Sequence, residues 1–267
     1  MAADSILTVE RDAHVATIWL DNPEKRNALG LPFWRDMPGV IAELEADDEV
    51  RAVVIAGKGP CFSAGIDVAF LGGGGGSLGA PAGQFKGLKN IDRLQRAITA
   101  VADCEKPVIA AVHGWCVGAG VDLISACDIR LCSADAKFSV RETRLAIVAD
   151  VGTLQRLPRI IPAGHVAELA FTGKDIDADR ALRIGLVNEV YPDADGVMKA
   201  GAELANEIAA LSPGAVQGTK RVLRYAADHT VADGLEYVAL WNSSQLPRAD
   251  VQEALTAFAE KRQPKFG

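Results

Sequence analysis

The sequence predicts an α/β fold that ends in an all-helical C-terminal part, and three observations carry that reading. Two short apolar runs, Ala52–Ala56 and Val108–Val112, read as strands buried on both faces, as in a sheet covered by helices. Between them, Phe85–Val101 carries Leu88, Ile91, Leu94, Ile98 and Val101 at helical spacing, which makes it an amphipathic helix. After about residue 192 the strand patterns stop. Ala194–Leu211, Pro213–Asp228, Val231–Gln245 and Arg248–Arg262 are all helical patterns, two of them opened by proline at or near the first turn.

Taken in order, Ile6–Glu10 and Val15–Leu20 read as paired strands, and Phe33–Ala46 as a segment broken by Pro38-Gly39. The glycine run Gly72–Gly76, extended to Gly83, reads as a mobile surface loop because glycine loses the most entropy on ordering. It lacks the Gly-Lys-Ser/Thr ending of a P-loop, so a phosphate cradle is not expected there. The chain divides into an α/β core over 1–192 and a helical subdomain over 193–267. In the latter, Leu235, Tyr237, Leu240, Trp241, Leu255 and Phe258 bury more surface if they meet another subunit, so an oligomer is expected.

A chain of 267 residues with 49% hydrophobic content can bury one large core, while its apolar runs fall far short of the roughly 20 residues a bilayer span needs. The net charge of -7 argues against a nucleic-acid partner. Five cysteines without a Cys-x-x-Cys pair suggest reduced core residues, neither a disulfide framework nor a zinc cage, and the four histidines show no metal-ligand spacing. The N-terminal Met-Ala-Ala-Asp-Ser has no basic or apolar leader pattern and Pro-Lys-Phe-Gly is not a peroxisomal address, so the expected location is the cytoplasm.

Two segments carry the chemistry. Cys61-Phe62-Ser63-Ala64-Gly65-Ile66-Asp67-Val68 follows the buried strand Ala52–Ala56, and small residues at a strand's C-terminal edge let the backbone approach a ligand and present N–H groups to it. Alone, this segment suits a tight turn equally well. The second runs from Ala110 through His113-Gly114 to Gly118-Ala119-Gly120-Val121-Asp122-Leu123: a buried strand, a turn, then a small-residue helix start. The dipole and free amides at that helix start favour a negative oxygen. If the N–H groups of Ile66 and Ala119 converge, they form an oxyanion hole for an enolate. Glycine-alanine patterns also serve to pack a helix closely on a sheet. Ser63 is not in a Gly-x-Ser-x-Gly elbow, so a serine hydrolase is not expected, and His113 reads as a packed histidine.

Ser-Ala-Gly-Ile-Asp and Gly-Ala-Gly-Val-Asp-Leu-Ile-Ser-Ala-Cys-Asp-Ile-Arg resemble the two oxyanion-hole signatures of the crotonase (enoyl-CoA hydratase/isomerase) family. The stretch from Glu142 through Asp150-Val151-Gly152-Thr153-Leu154-Gln155-Arg156-Leu157-Pro158 is similar to the dienoyl-CoA isomerase branch, and the likeness extends over nearly the whole chain. The resemblance implies a spiral of ββα turns, acyl-CoA thioester substrates of fatty-acid β-oxidation, homotrimers or dimers of trimers, and no cofactor beyond the coenzyme A of the substrate. It also places Asp122, Glu142 and Asp150 where that branch has its three active-site carboxylates; ordinary hydratases have no acid near Asp150. Independently, Asp150 ends the uncharged run Leu145–Ala149, an awkward place for a charge unless a partner or function justifies it, or unless it is a surface acid after a buried strand.

The implied reaction shifts a 3,5-dienoyl-CoA to the 2,4-isomer, which takes a proton from C2 and delivers one at C6. Two carboxylates flanking a flat acyl chain reach both carbons where one base cannot, so Glu142 and Asp150 are assigned to the transfers and Asp122 to tuning them, with the order of Glu142 and Asp150 left open. Three clustered acids do not all ionise cheaply, so at least one should hold a proton at neutral pH. Resemblance also makes Arg26, Ala28, Ala64, Asp67 and Val68 candidates for coenzyme A contact, with Lys25 or Arg26 facing phosphate, and Phe258 and Lys261 candidates for completing a neighbour's site. Ala119 and Ala146 stand where many relatives have glycine; the hole survives unless Ala119 needs positive φ, and both methyls are expected to narrow the acyl tunnel. Two rivals stay open: a hydratase using Asp122 and Glu142, and a silent CoA-binding scaffold.

Overall fold

The computed structural model describes residues 4–69, 84–246 and 248–267; the glycine-rich stretch Gly72–Gly83 lies outside them. Strand β1 (Leu7–Asp12) pairs antiparallel with β2 (Val15–Leu20), after which every neighbour is parallel: β3 (Ala52–Gly57), β4 (Val108–Val112), β6 (Ile129–Ser133) and β9 (Glu189–Tyr191). The sheet order is β1-β2-β3-β4-β6-β9, and every residue of β3 and β4 is buried, as continuous apolar runs require. A smaller sheet joins β5 (Trp115–Val117), β7 (Lys137–Ser139) and β8 (Ile176–Asp177) in the order β5-β7-β8. Bridges Ser63↔Cys116 and Leu29↔Ile66 tie the turn after β3 to the small sheet on one side and to the turn after β2 on the other. The result is a mixed α/β architecture with a helical C-terminal region.

Helix α1 (Leu31–Ala46) continues through Pro38, contrary to the expected break. An interior proline costs about 3 kcal/mol, whereas α1 buries Phe33, Trp34, Met37, Val40, Ile41 and Leu44 on one face, each worth about 1.5–3 kcal/mol. Packing therefore wins. Helix α2 (Gln84–Asp103) buries Leu94, Ala97, Ile98 and Val101 against the same core.

The short helix α3 (Ala119–Ser125) is buried at every position. Then come α4 (Thr153–Arg156), α5 (Ala163–Thr172) and α6 (Ala178–Arg183). Beyond residue 193, α7 (Ala194–Ala209) lies across β2, β3, β4, β6 and β9, and its Val197, Ala200, Ala205 and Ala209 join a second core with Val54, Ala56, Ile109 and Leu131. Helices α8 (Pro213–Ala226), α9 (Val231–Gln245) and α10 (Arg248–Glu260) complete the C-terminal region. They are docked to the sheet by Lys220, which donates to the Lys106 carbonyl at 2.9 Å and pairs with Asp128 at 2.6 Å. No helix among the described residues is long and apolar enough to cross a membrane. All five cysteines are buried and free.

Candidate active site

The two glycine-bearing turns converge. Gly65 has φ 92°, and a Cβ built on it would lie 2.7 Å from the Val117 carbonyl oxygen and 3.8 Å from the amide nitrogen of Ala119. Only a residue without a side chain lets the backbones meet this closely. Ile66 bridges Leu29, whose own amide donates to Gly65 while its carbonyl accepts from Asp67, so the Ile66 N–H points away from that ladder. Neither the Ile66 nor the Ala119 amide donates to any acceptor among the described residues. The left-handed turn falls on Gly118, φ 51°, so Ala119 begins α3 with ordinary helical backbone and its Cβ carries no penalty.

Both amides border a cavity of about 230 Å³, and all three expected carboxylates, Asp122, Glu142 and Asp150, line it together. Asp122 sits in the first turn of α3, almost wholly buried, and accepts the Thr153 N–H at 2.6 Å. Burial pushes its carboxyl up to about 6, opposed by the Thr153 hydrogen bonds and Arg156 and assisted by the Asp150 charge. Glu142 opens a 3-10 turn over Glu142–Leu145; its Oε2 is buried without a partner, and its Oε1 would be 3.5 Å from a Cβ on Gly118. Burial, then the Asp122 charge, raises it to about 7. Burial also raises Asp150, whose carbonyl accepts from Gln95 Nε2 at 2.7 Å.

The remaining candidates divide. Ala64 and Val68 line the cavity, Val68 with 69% of its surface exposed. Asp67 instead pairs with Lys25 at 3.3 Å and accepts the Ala69 amide, linking the two expected coenzyme A segments. Arg26 is exposed at φ 52°, Ala28 is half-buried, and the Arg26 carbonyl accepts from Ala64, so these residues sit beside the cavity mouth without lining it. Phe258 near the exposed end of α10 and Lys261 just beyond that helix do not line it. Ala119 borders the cavity, but Ala146 does not; it takes φ 57° instead, a correction to the expectation that both methyls narrow the tunnel. Nor does a buried strand precede Asp150: Leu145 and Val148 are 50% and 72% exposed in a strand-free loop.

Several contributors escaped the sequence reading. Asn27, fully buried at φ 53°, donates to the carbonyls of Lys58 and Cys61 at 2.8 Å each and accepts the Asn22 amide at 2.9 Å, fastening the first loop under the second. Asparagine's tolerance of left-handed backbone was the available signal. Ser63 is a brace: its hydroxyl donates to the Asn27 carbonyl and accepts the Gly65 amide. Arg141, Arg144, Leu145 and Ile147 add to the cavity wall. His113 Nε2 lies 2.9 Å from the Gly59 carbonyl, a packed histidine as expected. A larger apolar groove of about 920 Å³ lies between α8, α10 and the sheet end, but its Lys220 and Asp128 pair with each other, so nothing there is poised for chemistry.

A parallel sheet whose strand-end turns bring two free amides against a group of raised carboxylates is the architecture of an enoyl-CoA hydratase/isomerase-type enzyme. The family described as Enoyl-CoA hydratase/isomerase matches residues 10–267, and the chain belongs to it. Two relatives are named Delta(3,5)-Delta(2,4)-dienoyl-CoA isomerase: one from Dictyostelium discoideum, 45% identical over 94% of this chain and 87% of its own length, and one from Arabidopsis thaliana, 40% identical over 98% and 95%. The crystal structure of an enoyl-CoA hydratase from Bacillus anthracis superposes with a TM-score of 0.90 at 29% identity, covering 98% of this chain and 99% of that one. The Dictyostelium relative is named mitochondrial and the Arabidopsis one peroxisomal, which overturns the expected cytoplasmic location. Addresses are read by receptors and are independent of the shared fold, so the fold was no guide to them.

Proposed function

We propose that the protein isomerises a 3,5-dienoyl-CoA thioester to the 2,4-dienoyl isomer through a dienolate. The observation that carries this reading is Asp150 sharing one cavity with Asp122, Glu142 and the amides of Ile66 and Ala119. The relatives at 40% and 45% identity named as dienoyl-CoA isomerases support it over hydration.

The thioester oxygen accepts from the two amides, which polarises the carbonyl and acidifies C2. Glu142 takes the C2 proton, since its Oε1 lies beside Gly118, next to the amide that holds the carbonyl end of the acyl chain. The electron pair spreads as C1=C2, C3=C4 and C5=C6 with the charge on oxygen. Asp150 then gives a proton to C6, leaving double bonds at C2 and C4. Burial raises the proton affinity of Glu142, and Asp122, pinned by Thr153, raises it further through its charge. One turnover leaves Glu142 protonated and Asp150 ionised, and proton exchange within the cluster or with water restores them. Only protons and π electrons move, so coenzyme A enters as part of the substrate and no further cofactor is invoked.

Arg26, Ala28, Ala64, Asp67 and Val68 form the coenzyme A path, with the Lys25–Asp67 pair at its floor. Phe258, 86% exposed, and Leu223, Leu235, Leu240 and Leu255, each more than half exposed, favour a homotrimer or a dimer of trimers, with Phe258 and Lys261 reaching a neighbour's coenzyme A. In this reading residues 1–192 carry the site, while within 193–267 helix α7 covers the sheet and the exposed faces of α8, α9 and α10 serve assembly.

Isomerisation of 3,5-dienoyl-CoA and hydration of 2-enoyl-CoA are assayed side by side for the wild type and Asp150→Asn. Loss of a proton donor costs about 10²–10⁴-fold in isomerisation. Unchanged isomerase turnover in the variant removes Asp150 from the mechanism.

A further inference from the structure

The turn that carries Asp150 is held from behind by an arginine that the mechanism above does not use. Gly152 has φ 132°, and a Cβ there would lie 1.7 Å from Nη1 of Arg156, so the guanidinium occupies the space a side chain would need. From that position Nη1 donates to the Val151 carbonyl at 3.3 Å and Nη2 to Thr99 Oγ1 at 3.1 Å. No carboxylate meets the guanidinium in an ion pair among the described residues, an unfavourable arrangement for a half-buried cation unless its position serves something. Thr99 and Gln95 stand four residues apart on α2, hence on one helix face, and Gln95 holds the Asp150 carbonyl at 2.7 Å. One face of α2 therefore grips both sides of the turn.

The turn has two outputs. At one end is the Asp150 carboxyl; at the other the Thr153 amide reaches Asp122 at 2.6 Å. Helix α4 is a single turn without a side-chain cap, so it does not fix that amide by itself. We propose that Arg156 is a positioning residue for the isomerisation: by tying the Val151 carbonyl to Thr99 it fixes the turn that sets Asp150 against the acyl chain and the Thr153 amide against Asp122. The proposal rests on the isomerase reading of the cavity. The charged groups that face Arg156 are Asp122 from α3 and Asp103 from α2, while Asp150 and Glu142 face Asp122 in turn. The cation thus also favours the ionised form of Asp122.

The test uses the full chain with a 3,5-dienoyl-CoA substrate and measures kcat and KM separately for the wild type, Arg156→Met, Arg156→Lys and Thr99→Val. A displacement of about 1 Å in a reacting group costs on the order of 10² in rate, so Arg156→Met should lose on the order of 10²-fold in kcat with KM little changed. Arg156→Lys, which keeps the charge and one donor, should recover part of that loss. Thr99→Val keeps the arginine and removes only its anchor; it should lose about tenfold in kcat, and it decides the matter if Arg156→Met does not fold. Wild-type kcat in Thr99→Val and in any folded Arg156→Met, or a change confined to KM, overturns the proposal. An inactive wild type overturns the isomerase reading and this proposal together; an active wild type with unaffected variants overturns this proposal alone.

Discussion

Glu142 stands beside Asp122 with one carboxylate oxygen, Oε2, buried and unpartnered, while Asp122 has its Oδ1 occupied by the Thr153 amide at 2.6 Å. The two acids are thereby made unequal. Burial raises both, Asp122 to about 6 and Glu142 to about 7; the Thr153 hydrogen bonds hold Asp122 back, and the Asp122 charge adds to the rise of Glu142. Glu142 must be ionised to take the C2 proton, so kcat/KM should rise with pH through about 7. Asp122→Asn keeps an oxygen for the Thr153 amide but removes the neighbouring charge, so that limb should move to lower pH. A limb that stays in place in Asp122→Asn shows that the two carboxyls do not interact.

The same raised values have a consequence for stability. A carboxyl whose folded pKa lies above its unfolded one binds protons more tightly when folded, so stability falls as pH rises between the two values and the penalty is complete above the upper one. For Glu142 that window runs from its ordinary 4.5 to about 7. Glu142→Gln removes a penalty on the order of 3 kcal/mol at pH 8 and almost none at pH 4. Thermal melts at the two pH values check it: the variant should gain Tm at the upper pH only.

Asn27 tests how far the first loop supports the second. Its fully buried amide satisfies the Lys58 and Cys61 carbonyls and the Asn22 amide. Asn27→Ala strands those groups at about 1–3 kcal/mol each and puts alanine at φ 53°, for a loss of about 3 kcal/mol or more. Urea unfolding measures this, and because the loop carries Arg26 and Ala28, KM for the thioester should rise as well. An unfolding midpoint equal to the wild type's shows that the loop is held by other means.

What the sequence made legible follows from which signals are local. The buried strands Ala52–Ala56 and Val108–Val112, the amphipathic α2 and the C-terminal helices are written in runs and spacings within one segment, and the structure has them within a few residues. The convergence of Ile66 with Ala119 came from resemblance, because the two amides are far apart in sequence and their meeting is decided by bridges such as Ser63↔Cys116. Pro38 misled, since the proline penalty is local while the burial that outweighs it is tertiary. Thr153, Gln95 and Arg156 were invisible for a related reason: each acts through a bond to backbone or side chain of a distant segment, and nothing in its own neighbourhood marks it.

Ala146 carries a strain that a single substitution should release. It lies at φ 57°, in the left-handed region where a Cβ costs about 1–2 kcal/mol, and its methyl does not border the cavity. Ala146→Gly should stabilise the fold by about 0.5–1 kcal/mol after the extra unfolded-state entropy of glycine is deducted, with kcat within about twofold. Denaturant unfolding beside a turnover assay checks both; a destabilised variant shows that the methyl is packed well enough to outweigh its backbone.

Gly65 is the opposite case, a glycine that no other residue replaces. Its φ of 92° is closed to alanine, and a Cβ would come within 2.7 Å of the Val117 carbonyl oxygen, backbone that has no room to move because the neighbouring Val117 amide donates to Ser63 at 3.1 Å. Gly65→Ala must push the turn after β3 away from Gly118-Ala119, which separates the Ile66 and Ala119 amides. Removing one donor of an oxyanion hole costs about 10²–10³-fold in kcat, so the variant should lose at least that much. If Gly65→Ala instead folds and turns over like the wild type, the two amides do not act together on the thioester oxygen, and charge stabilisation must come from elsewhere in the cavity.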